Sequence, residues 1–180
     1  MTITSRAFAS LIGPAAIAAG LVMASGATAP ASAGVSEHCA TIVSKELDKA
    51  GHSTVIGQTA CSTTSAADAL AKSGDTVAGT TSTAAVKSST LLLNKYKDAN
   101  YGGGVIYSFY GNAGDCDNAG YHLVNYVSVE INVSSMTGCN GCNAVLVNNE
   151  YSNYQTFGLP VVYLGDHYND NVVALKAYRA

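Results

Sequence analysis

The sequence predicts an all-β protein, a two-sheet sandwich preceded by a small disulfide-tied α/β segment. Short apolar runs with alternating polarity follow one another after Leu91, and Gly-, Asn- and Asp-rich turns separate them. No stretch in that region has the period of a helix longer than one turn. The composition, with 18 glycines, 11 tyrosines and only 12% charged residues, is typical of an extracellular β-protein with many turns.

The first 33 residues have the pattern of a secretion signal. Arg6 is their only charged residue, a small and apolar segment follows it, and the Ala-Ser-Ala sequence at 31–33 matches a signal peptidase site. We therefore expect a secreted, extracellular protein of residues 34–180. Loss of Arg6 changes the formal charge from −3 to −4, so no basic surface favours nucleic acid or an anionic membrane.

Residues 34–74 are predicted to form an N-terminal flap of two strands and one helix. The runs ATIVS and STVIGQTA predict the strands, although KELDKAG after the first run is also compatible with a helix. SAADALAKSG predicts a helix that Ser65 caps and that ends at Gly74. A disulfide between Cys39 and Cys61 would close a loop of about twenty residues and contribute about 3 kcal/mol.

The next two segments differ in composition. Residues 75–90 are rich in Ser, Thr and Ala with few bulky side chains, so they are predicted to be a linker. Residues 91–180 contain most of the aromatic side chains and are predicted to form one compact β-sandwich domain. Its strand-like runs are TLLLNKY, GGVIYSFYG, YVSVEINVSS, NAVLVNN, LPVVYLG and NVVALKAY.

The stretch NKYKDANYGGG near the start of this domain predicts a folded hairpin. Tyr96 and Tyr101 are five residues apart, and Gly103 follows two residues later. If Lys95 to Asn100 is a strand that leads into a tight hairpin, the two tyrosine rings stack on each other as Tyr101 folds back over the turn. A glycine two residues on supplies the positive φ and the missing Cβ that make room for the ring.

This Tyr-x4-Tyr-x-Gly pattern resembles the Greek-key signature of the βγ-crystallin superfamily. Microbial members carry an Asn/Asp-Asn/Asp-x-x-Ser/Thr-Ser stretch after the hairpin and then repeat the unit. EINVSS (130–135) and the Asn169-Asp170 pair of YNDNVVAL fall in the two corresponding places. The resemblance implies a double Greek-key sandwich in which Ser135 hydrogen-bonds the folded hairpin.

Among microbial members, the chain is most similar to secreted actinobacterial proteins grouped with the Streptomyces metalloproteinase inhibitor. The shared elements are the export signal, YKDANYGGG, DCDNAGY, GCN, QTFGLPVVYLG and NDNV. The resemblance implies a secreted inhibitor of an extracellular peptidase, with a metalloprotease favoured, that binds the enzyme cleft through an exposed loop without a cofactor. The alternative is a non-inhibitory extracellular module with a structural role or a calcium- or wall-binding role.

A substrate-like inhibitor needs an exposed and rigid loop that presents its backbone to the enzyme. The best candidate is the Gly- and Asn-rich connection between the two repeats, MTGCNGCN. Its first five residues are the predicted contact residues: Met136, Thr137, Gly138, Cys139 and Asn140. The competing interpretation is an ordinary connection between repeats.

All five cysteines lie after the leader, so an odd thiol remains when disulfides form. GCN occurs twice in tandem, and the sequence does not determine whether Cys139 or Cys142 pairs with Cys116. We take Cys142, which leads into the next strand, and leave Cys139 as the odd thiol. A monomer is then expected, with a Cys139-linked dimer as the alternative. The CxxC lacks the second ligand pair of a zinc site.

Calcium would use the two paired stretches of the fold, because a hard cation requires six to eight oxygen ligands. Each copy retains a different half of the motif, so at most one weakened site is expected. Its residues are Glu130, Ser134, Asn169 and Asp170.

Enzyme activity is not expected. The histidines show no paired spacing for a catalytic metal, and the sequence has no nucleophile elbow and no phosphate-binding loop after a strand. These histidines are His38, His52, His122 and His167.

Overall fold

The computed structural model describes residues 37–74, 88–125 and 131–180, and these residues form mostly β-structure. The all-β prediction is therefore confirmed. The described strands are β1 (His38–Leu47), β2 (Ser53–Ser62), β3 (Thr90–Tyr96), β4 (Val105–Gly111), β5 (Tyr121–Val124), β6 (Ser135–Gly138), β7 (Ala144–Asn149), β8 (Tyr154–Gly158) and β9 (Val172–Tyr178). One helix, α1 (Ala66–Ser73), and a 3-10 turn at Ala99–Tyr101 complete the described elements. The predicted leader, residues 75–87 of the predicted linker and Glu130 lie outside the described residues.

The first sheet has five strands in the order β2-β1-β4-β3-β6. Its pairs are antiparallel except for β1 and β4, which run parallel and place Cys39 opposite Tyr107. The segment predicted as an N-terminal flap thus supplies two strands of a sheet that continues with β4. Gly34–Ala180 forms one compact unit.

Local capping signals place α1 where the sequence predicted it. Ser65 Oγ accepts a hydrogen bond from the Asp68 N–H at 3.0 Å, and Gly74 caps the other end. Asp68 also forms an ion pair of 2.7 Å with Lys72, one turn further on. The alternative helix over KELDKAG does not form, because β1 continues to Leu47 and a turn follows it.

The second sheet has the antiparallel order β5-β9-β7-β8. The strand predicted in LPVVYLG is wrong: residues 159–165 contain only an isolated bridge between Val161 and Met136. Pro160 has no N–H to donate to a β-ladder, and β8 ends before it at Gly158. The strand predicted in YVSVEINVSS begins, within the described residues, only at Ser135.

The two sheets share one apolar core. Its fully buried side chains include Leu92, Leu93, Tyr107, Phe109, Tyr121, Val145 and Val147. Burying each large apolar side chain stabilises the fold by about 1.5–3 kcal/mol, so this core accounts for the packing of one sheet on the other. No helix within the described ranges is long and apolar enough to cross a membrane.

Both expected disulfides are present. Cys39–Cys61 joins register partners of β1 and β2, and Cys116–Cys142 joins the loops that precede β5 and β7. Cys139 is the free thiol. The two cross-links restrict the unfolded chain and so stabilise the folded protein.

Candidate functional site

The hairpin between β3 and β4 has the aromatic lid that the sequence predicted. The rings of Tyr96 and Tyr101 meet edge to face, with 5.4 Å between their centroids and 63° between their planes. Asn100 and Tyr101 both have positive φ, 54° and 61°, so the chain turns back sharply through left-handed backbone. This turn places the Tyr101 ring beside Tyr96.

Gly103 is required by close packing inside this hairpin. Its φ is +68°, and a Cβ built there would lie 2.5 Å from Asp98 Oδ2 and 2.9 Å from the Cβ of Lys97. The predicted positive φ is therefore present, but the missing Cβ makes room for Asp98 and Lys97 of the turn and not, as predicted, for the tyrosine ring.

Ser135 holds the folded hairpin from the neighbouring strand. Its Oγ accepts a hydrogen bond from the Tyr101 N–H at 3.0 Å and donates one to the Asp98 carbonyl at 2.6 Å. Both backbone groups belong to the turn, and Ser135 itself is fully buried, so its hydroxyl has both of its hydrogen bonds within the protein. The predicted structural role of this hydroxyl therefore matches its contacts.

Three of the four predicted calcium residues, Ser134, Asn169 and Asp170, line what we call the hairpin pocket; the fourth, Glu130, lies outside the described residues. This cavity of about 360 Å³ is lined by Lys97, Asp98, Ala99, Asn132, Ser134, Tyr163, Asn169 and Asp170. Ser134 Oγ donates to the Lys97 carbonyl at 2.6 Å, and Asn169 Nδ2 donates to Asp170 Oδ2 at 2.8 Å. The carboxylates of Asp98 and Asp170 suit a hard cation, but part of the polar lining is already used within the protein.

Another group of potential metal ligands in the described residues does not fit a metal. Glu37, Cys39 and Cys61 offer ligand atoms within 4.8 Å of one another. The disulfide occupies both sulfur atoms, so neither is the thiolate that a metal ion requires.

The predicted inhibitory loop, residues 136–140, is not an exposed loop, and this prediction is corrected. Its first three residues belong to β6, which pairs with β3. Met136 is fully buried, and it exchanges backbone hydrogen bonds of 3.0 and 2.9 Å with Val161. Met136 is buried and has β3 on one side and Val161 on the other, so it is unable to enter an enzyme cleft.

The end of that segment is also tied to the first sheet. The Cys139 N–H donates to the Leu92 carbonyl of β3 at 2.9 Å, and Asn140 Nδ2 donates to the Leu91 carbonyl at 2.8 Å. Burial raises the pKa of the Cys139 thiol, which lowers the fraction of reactive thiolate. Of the five predicted contact residues, Asn140 alone is exposed.

A different segment, missed by the sequence interpretation, projects from the first sheet. We call Val162 and Tyr163 the 162–163 tip; their side chains are 52% and 42% exposed. Residues on both sides are anchored, because Val161 pairs with Met136 and the Leu164 N–H donates to the Ser134 carbonyl at 2.9 Å. Pro160, which lacks a backbone N–H, is the feature of the sequence that argues against a strand in this segment.

Hydrogen bonds also fix the tip itself. The Asn100 N–H donates to the Val162 carbonyl at 2.8 Å, which connects the tip to the hairpin. The Tyr163 hydroxyl donates to Asp166 Oδ1 at 2.6 Å, and this hydrogen bond is the main reason that the pKa of Tyr163 is raised. The tip is thus an apolar and aromatic projection with a defined conformation.

A groove of about 230 Å³ lies on the second sheet where the β1–β2 turn meets it. Its lining includes His52, His122, Leu146, Tyr154 and Lys176. Burial lowers the pKa of His122, and the charges of Lys176 and His52 lower it further. Lys176 Nζ donates to the Asn118 carbonyl at 3.1 Å, so its ammonium is directed to the rim of the groove.

The class of protein that these features define is a two-sheet, disulfide-linked β-protein. No protein-family model, curated protein or solved structure matches the chain. Its function is therefore inferred from its own residues.

Proposed function

We propose that the chain is a βγ-crystallin-like double Greek key. In the first half, β3, β4 and β6 pair in one sheet, whereas β5 pairs with β9 of the other. In the second half, β7, β8 and β9 pair together, whereas Val161 bridges to Met136 in the first sheet. This reciprocal exchange, together with the aromatic hairpin lid, supports two interlocked Greek keys.

On this scaffold the chain acts as a secreted, monomeric inhibitor of an extracellular peptidase, with a metalloprotease favoured. The single observation that carries the proposal is the 162–163 tip, exposed between two anchored residues. Inhibitors gain affinity when the inserted residues lose little conformational freedom on binding. Backbone hydrogen bonds at Val161, Val162 and Leu164 limit that freedom before the enzyme is met.

The side chains of the tip suit a peptidase pocket. Val162 and Tyr163 present apolar surface, and aromatic anchors that fill a partner's pocket supply much of the binding energy of an interface. The Tyr163 ring is held by its hydrogen bond to Asp166, which reduces the entropy lost on binding. A peptidase that accepts a bulky apolar residue beside the scissile bond is the expected target.

A residual-activity titration tests this proposal. Purified protein is added to a thermolysin-like metalloprotease, a subtilisin-like serine protease and a trypsin-like serine protease, each at a known active-site concentration. A linear fall to zero near one equivalent against one of them is expected. Full activity of all three at large excess, with the protein intact on a gel, overturns the proposal.

A second candidate function is calcium binding, favoured by the convergence of Asp98, Ser134, Asn169 and Asp170 on one cavity. In this alternative the chain is a non-inhibitory extracellular module that calcium or wall polymer stabilises. Thermal melting in calcium, in magnesium and in a chelator tests it. A rise of Tm in calcium alone, lost in Asp170→Ala, supports the alternative, and identical curves reject it.

A further inference from the structure

A lysine lies in the core of the sandwich. Lys95 belongs to β3, a strand with neighbours on both sides, and its side chain is only 1% exposed. Its Nζ lies 5.1 Å from the ring centroid of Phe109 and 5.9 Å from that of Tyr107. Lysine is almost never buried this completely, so its surroundings require a chemical explanation.

An asparagine side chain is held directly against this amine. Asn125 follows β5 of the second sheet, and its Oδ1 lies 3.0 Å from Lys95 Nζ. Asn125 Nδ2 donates to the Val172 carbonyl, and the Asn125 N–H donates to the Val173 carbonyl at 3.2 Å. Contacts on both sides of the carboxamide thus fix its carbonyl toward the lysine.

We propose that Lys95 and Asn125 join in an intramolecular isopeptide bond. Nζ of Lys95, after giving up one proton, attacks Cγ of Asn125 and forms a new C–N bond. As the amide forms, Nζ loses a second proton. The bond between Cγ and Nδ2 breaks, and the departing nitrogen takes up both protons and leaves as ammonium. The step needs no oxidant, no reductant and no second substrate, because the lysine ammonium and the carboxamide supply every atom of the amide and of the ammonium.

The position favours this reaction in two ways. Two groups held at hydrogen-bond distance react with a high effective concentration, because the entropy of bringing them together is already lost on folding. Lys95 is buried and aromatic rings lie beside its amine, so little water reaches the pair, which limits hydrolysis of the carboxamide.

The bond would connect the two sheets covalently. Lys95 lies in β3 of the first sheet, and Asn125 follows β5 at the edge of the second. Neither disulfide makes this connection, since Cys39–Cys61 lies within the first sheet and Cys116–Cys142 joins two loops. A reducing agent would leave the isopeptide intact. The proposal is independent of the inhibitor function.

Mass spectrometry of the purified full chain, denatured and reduced, tests the bond. The expected mass of the reduced protein is about 17 Da below that of its sequence, the mass of one ammonia. Digestion with trypsin and chymotrypsin should yield a branched peptide that contains Lys95 and Asn125, and trypsin should fail to cleave after Lys95. A protein with the full sequence mass and with tryptic cleavage after Lys95 overturns the proposal.

Three variants separate this bond from other losses of ammonia. Asn140 precedes Gly141 and is exposed, so a succinimide there would remove the same mass. Lys95→Arg keeps the positive charge but has no amine for this amide, and Asn125→Ala removes the acceptor; both should have their full sequence mass. Asn125→Asp should form the same amide with loss of water. A deficit that persists in Lys95→Arg overturns the proposal.

Discussion

Val161 and Met136 exchange two backbone hydrogen bonds. This pair explains both why Met136 of the predicted inhibitory loop is buried and why the 162–163 tip projects from the sheet. β6 would otherwise be the edge of the first sheet, with its outer N–H and C=O groups unpaired. Val161 covers that edge at Met136. The chain then leaves the sheet for two residues, so the 162–163 tip stands beside it.

Changing the tip should weaken inhibition. We expect Tyr163→Ala or Val162→Asp to raise the inhibition constant by about tenfold or more, equivalent to about 1.4 kcal/mol, because the exposed side chains enter the enzyme. Tyr151→Ala is the matched control, since Tyr151 is 71% exposed in a different loop and should not change inhibition. Equal inhibition by all three variants would assign the contact to another surface.

Gly103 and Gly104 offer a matched test of the hairpin. Both have positive φ, but a Cβ at Gly103 would collide with Asp98, whereas one at Gly104 would meet nothing within 4 Å. Gly104→Ala should cost about 1 kcal/mol for its left-handed backbone, and Gly103→Ala about 1–2 kcal/mol more. Urea unfolding of both variants measures the difference. Equal midpoints would contradict the close packing at Gly103.

The two serines before and within β6 should differ in their contribution to stability. Ser135→Ala leaves the Tyr101 N–H and the Asp98 carbonyl without a partner, and we expect a loss of about 1–3 kcal/mol. Ser134→Ala removes one hydrogen bond, to the Lys97 carbonyl, and should cost less. Thermal melting at neutral pH compares them. A smaller loss for Ser135→Ala than for Ser134→Ala would refute this account.

Acidification should destabilise the protein through His122. Its pKa is lowered in the folded state by burial, so the unfolded chain takes up the proton first as the pH falls through the ordinary value of 6.5. Stability is therefore full above that value and declines below it, until the folded state also becomes protonated. The fall in Tm between pH 7.5 and pH 5 should be smaller in His122→Gln than in the parent protein.

His167→Gln is the control for this measurement, because His167 is exposed and does not line the groove. Its fall in Tm should equal that of the parent protein. If His122→Gln retains the full acid-induced decrease, the decrease originates in other groups.

Local features of the fold could be predicted from the sequence. The spacing of Tyr96, Tyr101 and Gly103 specifies one hairpin. Ser65 caps a helix through a hydrogen bond with Asp68, which is only three residues further along the chain. The pairing of Cys39 with Cys61 follows from two adjacent strands. In each case the interacting residues are close in sequence, so few alternative arrangements compete.

Non-local features could not be predicted in the same way. The run ATIVS predicts a strand but does not indicate that its partner is β4, or that the pair is parallel. The same limit applies to Met136, whose burial depends on Val161, and to Lys95, whose burial no local pattern in the sequence indicates. β5 is only four residues long and follows a turn-rich segment, so its pattern is too short to identify.

The parallel pair of β1 and β4 has a consequence for the time course of folding. Thr41 in β1 and Tyr107 in β4, whose hydroxyls are hydrogen-bonded, are 66 residues apart, and such distant pairings form slowly. A chain that emerges N-terminus first has both strands of the β1–β2 pair available long before β4. During that interval one edge of an apolar strand remains open. The nascent chain is then most vulnerable to aggregation, and a chaperone that shields this edge would act there.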